Sequence, residues 1–169
     1  MLIRTIWITA LTCVALAQSA GVHPVTGRRI ATVMSHLGSE WLDRPERVSE
    51  EDPDKAIAAL GIGPGATVAD VGAGSGYMTV KLAAVVGPAG RVYATDVQPE
   101  MIEKLTARVK SANLQNVIPV LSTTDDPRLP EGSIDLILMV DVYHELAAPQ
   151  RTLQQLKRTL KLSGRLVLL

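Results

Sequence analysis

Residues 67–82 read TVADVGAGSGYMTVKL, an apolar strand running into an acid, then a glycine-dense turn, then a helix. Val68, Ala69 and Val71 give the first part buried-strand character. Gly72, Gly74 and Gly76 remove side chains where a ligand and the following helix must both approach the backbone closely, and Ser75 is read as the cap of that helix. A bland tight turn would use the same three glycines, so the flanking sequence has to decide.

Towards the C-terminus the pattern repeats, with strands expected at 91–95, 116–121, 134–140 and 165–169 and helices at 99–112 and 149–162. Such alternation predicts an α/β fold with a doubly wound, mostly parallel sheet. Met101, Leu105 and Val109 fall at i, i+4 and i+8, and Leu153, Leu156 and Leu160 at i, i+3 and i+7, giving each helix one core-facing stripe. Towards the N-terminus, 28–40 and 53–60 carry helix-compatible apolar spacing around a proline- and acid-rich joint. The reading is a helical N-terminal extension, residues 21–64, packed over the mouth of a domain at 65–169. Trp41 is either a lid residue over a ligand or an aromatic anchor for the extension.

The chain has 169 residues, 47% hydrophobic and 20% charged, with 17 Lys+Arg balancing 17 Asp+Glu. That suffices for one globular domain with a core. It lacks the basic excess of a nucleic-acid binder, so no nucleic-acid partner is expected, and Arg28 and Arg29 are read as solvated helix surface. Phenylalanine is absent, which leaves the core to Leu, Ile, Val and Ala.

The first 20 residues, MLIRTIWITALTCVALAQSA, combine Arg4, a short apolar run and small residues at Ala15 and Ala17. This is the pattern of a secretory signal peptide, so export to the periplasm or beyond is expected, with a cytoplasmic location if the segment is not used as a signal. The apolar run is short of the roughly 20 residues of a membrane span. Cys13 is the sole cysteine and lies in that leader. His23, His36 and His144 are scattered, and no metal site is predicted.

Two acids narrow the choice of cofactor. A dinucleotide fingerprint, G-x-G-x-x-G, would need glycine where this chain has Tyr77. Asp70, at the strand end, would repel a pyrophosphate and attract a cationic ligand such as the ammonium of a methionine moiety. The charge logic favours S-adenosylmethionine over NAD. Asp96, at the end of VYATD and about 20 residues beyond the last glycine, is placed to accept from ribose hydroxyls. Its other reading is a cap for the helix starting at Pro99.

DVGAGSGY, then YATDVQPEM, then TTDDPRLPEGSIDLILMVDVYHEL and LKRTLKLSGRLVLL, taken together over residues 53–169, resemble the class I S-adenosylmethionine-dependent methyltransferases. The resemblance implies a Rossmann-like fold and methyl transfer to a small-molecule or protein acceptor. Asp70 and the loop Gly72, Ala73, Gly74, Ser75 and Gly76 would hold the methionine part. Asp96 would take the ribose with Val97 and Gln98 beside the adenine, Asp125 with neighbouring Thr124 or Asp126 would reach the adenine amino group, and Asp141 would face the methyl-transfer cavity. The family usually has K-P-G-G before the last strand, here Lys161–Leu162–Ser163–Gly164. It also continues past the fifth strand, so the fold is expected to be truncated there. The apolar last strand is then an edge available for self-association, and a non-catalytic S-adenosylmethionine-binding module or a fragment is the alternative function. Without a cysteine beyond the leader, the thiol-dependent arsenite subgroup is disfavoured.

Methyl transfer asks the protein mainly to position a nucleophile and exclude water. His144, the only central histidine, is the candidate general base, with wall or capping residue as its other reading. Tyr143 is the candidate for substrate or cofactor contact.

Overall fold

Among the described residues, five stretches rich in Val, Ile, Leu and Ala become strands: β1 Thr67–Val71, β2 Arg91–Asp96, β3 Val117–Leu121, β4 Ile134–Met139 and β5 Leu160–Leu168. The computed structural model describes residues 21–23 and 25–169, and the expected signal peptide, 1–20, lies outside the described residues. The strands pair in the order β3-β2-β1-β4-β5, all parallel. This is the doubly wound sheet the alternation predicts. The strand order reverses between β1 and β4, and in open α/β sheets ligands settle at the carboxyl ends of strands flanking such a reversal.

Among the described residues six helices accompany the strands: α1 Ser39–Leu42, α2 Arg47–Glu51, α3 Pro53–Ala59, α4 Tyr77–Val86, α5 Pro99–Ser111 and α6 Pro149–Thr159. Proline opens α3, α5 and α6, where its missing N–H leaves no bond unmade. Helices α3, α4 and α5 cover one face of the sheet, with Ile57, Leu82, Val86 and Leu105 packed on Val68, Val92 and Leu136. Leu156 of α6 and Leu129 cover the other, against Ala69, Val71, Ile137 and Met139. Burial of each such leucine contributes roughly 1.5–3 kcal/mol. Residues 68–71 and 136–139 are buried on both faces, which is why β1 and β4 read as continuous apolar runs rather than alternating ones.

Four expectations are corrected. Residues 28–40 are not a helix: an isolated bridge pairs Val22 with Arg29, 30–35 run without helix, and a 3-10 turn His36–Gly38 precedes α1. The backbone here bonds to distant partners instead of itself, Ala31 N–H to the His144 carbonyl and Met34 N–H to the Glu145 carboxylate. Arg28 is accordingly not solvated helix surface: it lies over the Tyr143 ring, 5.2 Å from its centroid, and donates to the carbonyls of His144 and Leu146. At the other end α6 stops at Thr159, because Leu160 pairs with Ile134 and begins β5. Lys161–Gly164, expected before the last strand, is the irregular first part of that strand, where the register shifts between Ile134 and Leu136.

Candidate cofactor site

A cavity of about 410 Å³ opens across the carboxyl ends of β1, β2, β3 and β4, where Val71, Thr95, Ser122 and Val140 line it. The opposite wall comes from 30–34, Trp41, Leu42 and Arg47 of the N-terminal extension. The extension thus lies over the mouth as a strap rather than as a helix. Gln98 fastens it on one side, accepting from His36 N–H at 3.0 Å and donating to the Met34 carbonyl at 2.8 Å. Arg28 and Glu145 fasten it on the other.

The glycine turn joins strand to helix with its backbone exposed to neighbours on three sides. Gly76 has φ 85°, and a Cβ there would meet Leu105 Cδ1 at 2.5 Å, so a side chain at position 76 is strained by conformation and requires the buried Leu105 to shift. Gly74 lies against Leu42 of the strap and Gly72 against Val142. Ser75 does not cap α4, whose N-cap is Gly76 with no side-chain bond. Its hydroxyl donates to Asp43 at 3.1 Å, and Asp43 in turn pairs with Arg108 at 2.6 Å, which ties loop, strap and α5 together.

Asp96 lines the cavity and is 7% exposed. One carboxylate oxygen accepts from Gly74 N–H at 3.0 Å and the other from Gln98 N–H at 2.9 Å, so the acid fixes the glycine loop to the tip of β2. It does not serve as the side-chain cap of α5, whose N-cap is Gln98. Burial raises its pKa, and those backbone N–H groups oppose the rise. Asp70 is 2% exposed and borders a separate recess of about 40 Å³ with Arg47, Ala73 and Ser75; Leu42, Arg47, Gly72 and Val140 are shared with the main cavity. Burial pushes its carboxyl up to about 6, against the Thr79 hydroxyl that donates to it at 2.6 Å and the Arg47 guanidinium nearby; the charge of Asp96 reinforces the rise.

The remaining residues divide. Val97, Gln98, Thr124 and Asp141 line the cavity, Asp141 with left-handed φ 54° at the end of β4. Asp125 is not on the wall: its carboxylate pairs with Arg151 at 3.1 Å and accepts from Thr123. Tyr143 and His144 sit on a 3-10 turn, Tyr143–Glu145, and neither lines the cavity; His144 is exposed and Tyr143 carries Arg28. The turn presents Glu145 instead, since neighbouring residues on a threefold turn point in different directions. Burial raises the Glu145 pKa; Met34 N–H and His144 oppose the rise, and Asp96 and Asp141 add to it. Glu145 stands beside the histidine in HEL, yet no local signal shows which of the two a single turn directs inward. Arg47 has no sequence mark either: its place depends on Glu51, the Leu42 carbonyl and the Tyr77 ring.

The family described as methyltransferase domain matches residues 69–168. This chain belongs to that family. Its fold is the Rossmann-like one of class I methyltransferases, and the chain is 36% identical to a SAM-dependent methyltransferase of Aquifex aeolicus, superposing with a TM-score of 0.77 over 80% of this chain and 72% of that one. Among curated relatives, a protein-L-isoaspartate O-methyltransferase of Aeropyrum pernix is 30% identical over 85% of this chain and 60% of its own length. An arsenite methyltransferase of Halobacterium salinarum is 32% identical over 68% of this chain and 29% of its own length. The chain thus spans less than two thirds of these two curated relatives. The match begins inside β1, so the strap that forms one cavity wall lies outside it. Among the described residues no helix is long and apolar enough to cross a membrane.

Proposed function

We propose that the protein is an S-adenosylmethionine-dependent methyltransferase acting on a small-molecule or protein acceptor in the 410 Å³ cavity. The observation that carries this reading is the meeting of a bare glycine loop and two buried acids, Asp70 and Asp96, at neighbouring strand tips beside that cavity. The donor set fits the group: the acidic residues Asp96, Asp141 and Glu145 line the cavity, as suits a ligand bearing sulfonium and ammonium charges. Asp70 and Arg47, of opposite sign at one recess, would hold the amino-acid end. Asp96, Val97 and Gln98 would take the nucleoside, with Thr124 on the far wall.

When bound, the cofactor supplies a methyl group on a good leaving group. The protein's own share is to orient an acceptor and exclude water, and the strap, with Ile30, Val33, Met34 and Trp41 on the wall, does the excluding. Glu145, with its raised pKa, is the group placed to take a proton from an oxygen or nitrogen nucleophile, a role assigned to it rather than to His144 because only Glu145 is on the wall. The names of the relatives specify chemically different acceptors. Export of the mature chain is part of the proposal and rests on the leader-like residues 1–20.

Calorimetric titration with S-adenosylhomocysteine, followed by transfer of labelled methyl to candidate acceptors, tests the reading. Binding of S-adenosylhomocysteine is expected, and NAD(H) binding in its place would overturn it. Tight binding with no transfer to any acceptor favours the non-catalytic alternative.

A further inference from the structure

Thr95 ends β2 one residue before Asp96 and is 1% exposed. Its backbone is fully engaged, the carbonyl accepting from the N–H groups of both Gly72 and Ala73. Its side chain is not. Among the described residues, Thr95 Oγ1 is the one buried side-chain nitrogen or oxygen without a hydrogen-bond partner.

The strand fixes where that hydroxyl lies. Val92 and Ala94 pack on the α4 and α5 side of the sheet and Tyr93 on the other, so alternation puts Thr95 on the Tyr93 side. There the cavity is walled by Thr95, Ser122, Thr123 and Thr152. Thr152 Oγ1 is not its partner: it lies outside hydrogen-bond range of Thr95 Oγ1 and turns its own hydrogen to the Ala148 and Thr124 carbonyls. Burying a hydroxyl unpaired disfavours the folded state, and valine would fill the same volume without that cost. Asp125, implied by the resemblance for the base edge, is turned to Arg151, which leaves neutral hydroxyls on this side of the cavity.

Resting on the cofactor reading above, we infer that Thr95 is a recognition residue of this chain, its hydroxyl hydrogen-bonding the nucleoside half of the bound cofactor beside Asp96. The partner missing from the protein arrives with the ligand.

The test measures ligand-free thermal unfolding and calorimetric affinity for S-adenosylhomocysteine and for 5′-methylthioadenosine, which lacks the amino-acid end, in wild type, Thr95→Val and Thr95→Ser. Thr95→Val is expected to raise the ligand-free unfolding temperature by about 2–4 °C and to weaken both ligands alike, by about threefold to tenfold. Thr95→Ser is expected to keep wild-type affinity for both. Unchanged affinities in Thr95→Val overturn the inference. So does a lowered unfolding temperature, the mark of a hydroxyl with a structural partner such as a held water, and so does weakening of S-adenosylhomocysteine alone. If wild type binds neither ligand, the cofactor reading falls first and this inference with it.

Discussion

The two walls of the cavity are built on opposite terms. Much of the strand-tip wall comes from one stretch of sequence, 70–98, whose bonds close within that stretch: Asp96 to Gly74 and Gln98, and Asp70 to Thr79. The strap wall, from Ile30 to Arg47, is fastened mostly by residues far along the chain: Gln98, Lys104, Glu145 and His144. The first is made by local backbone geometry over a packed core. The second is made by polar contacts at the surface, and stability measurements should separate them.

The largest effect belongs to the strand-tip wall. Gly76→Ala adds a side chain at φ 85° and forces it onto Leu105, so a loss of about 2–4 kcal/mol is expected, read as an unfolding temperature lower by about 5–15 °C. Wild-type stability would show that the turn is looser than its contacts indicate. Next comes Asp96→Ala, which removes a cavity carboxylate and frees two N–H groups. Affinity for S-adenosylhomocysteine is expected to fall by about 10- to 100-fold in calorimetry, and an unchanged value removes Asp96 from the site.

Smaller still is the pH response of Asp70, whose carboxyl sits at about 6. If its charged form pairs with the ligand ammonium, S-adenosylhomocysteine should bind about tenfold more weakly at pH 5 than at pH 7.5, and Asp70→Asn should flatten that slope. Ligand-free stability moves the other way. A carboxyl with a raised folded pKa holds a proton that the unfolded chain has already released, so its contribution is most favourable below about pH 4 and is lost as pH rises through about 6, by at most about 3 kcal/mol. Denaturant titrations of wild type and Asp70→Asn at the two ends of that range check the sign. The smallest effect is on the strap: Gln98→Ala removes its bonds to His36 and Met34 and is expected to cost about 1 kcal/mol. Hydrogen exchange at 31–38 should quicken about fivefold while β1 and β4 stay protected. Equal quickening in the core would erase the distinction between the walls.

The same distinction explains what could be read in advance. Strands β1 to β4, the later half of β5, α5 and the glycine turn follow from apolar pattern and turn chemistry that act within a few residues. The 28–40 segment was unreadable because Ile30, Val33 and Met34 hold a spacing a helix could use, while the N–H groups of Ala31 and Met34 find their partners more than a hundred residues away. The end of α6 failed for a related reason: Leu160 continues the stripe of Leu153 and Leu156, but pairing with Ile134 in the sheet overrides helical preference. Ser75 has the residue type of a cap, and a tertiary partner, Asp43, takes its hydroxyl. Glu145 and His144 differ only in which way one turn points.

Trp41, 54% exposed on the cavity lip beneath the Arg44 guanidinium, is the sole indole after residue 20. In a chain cut after residue 20 its fluorescence would report on one place only, and a ligand entering or a strap lifting would change the emission of a single, already located dye. That form would carry its own optical gauge for the cavity, with no label to attach.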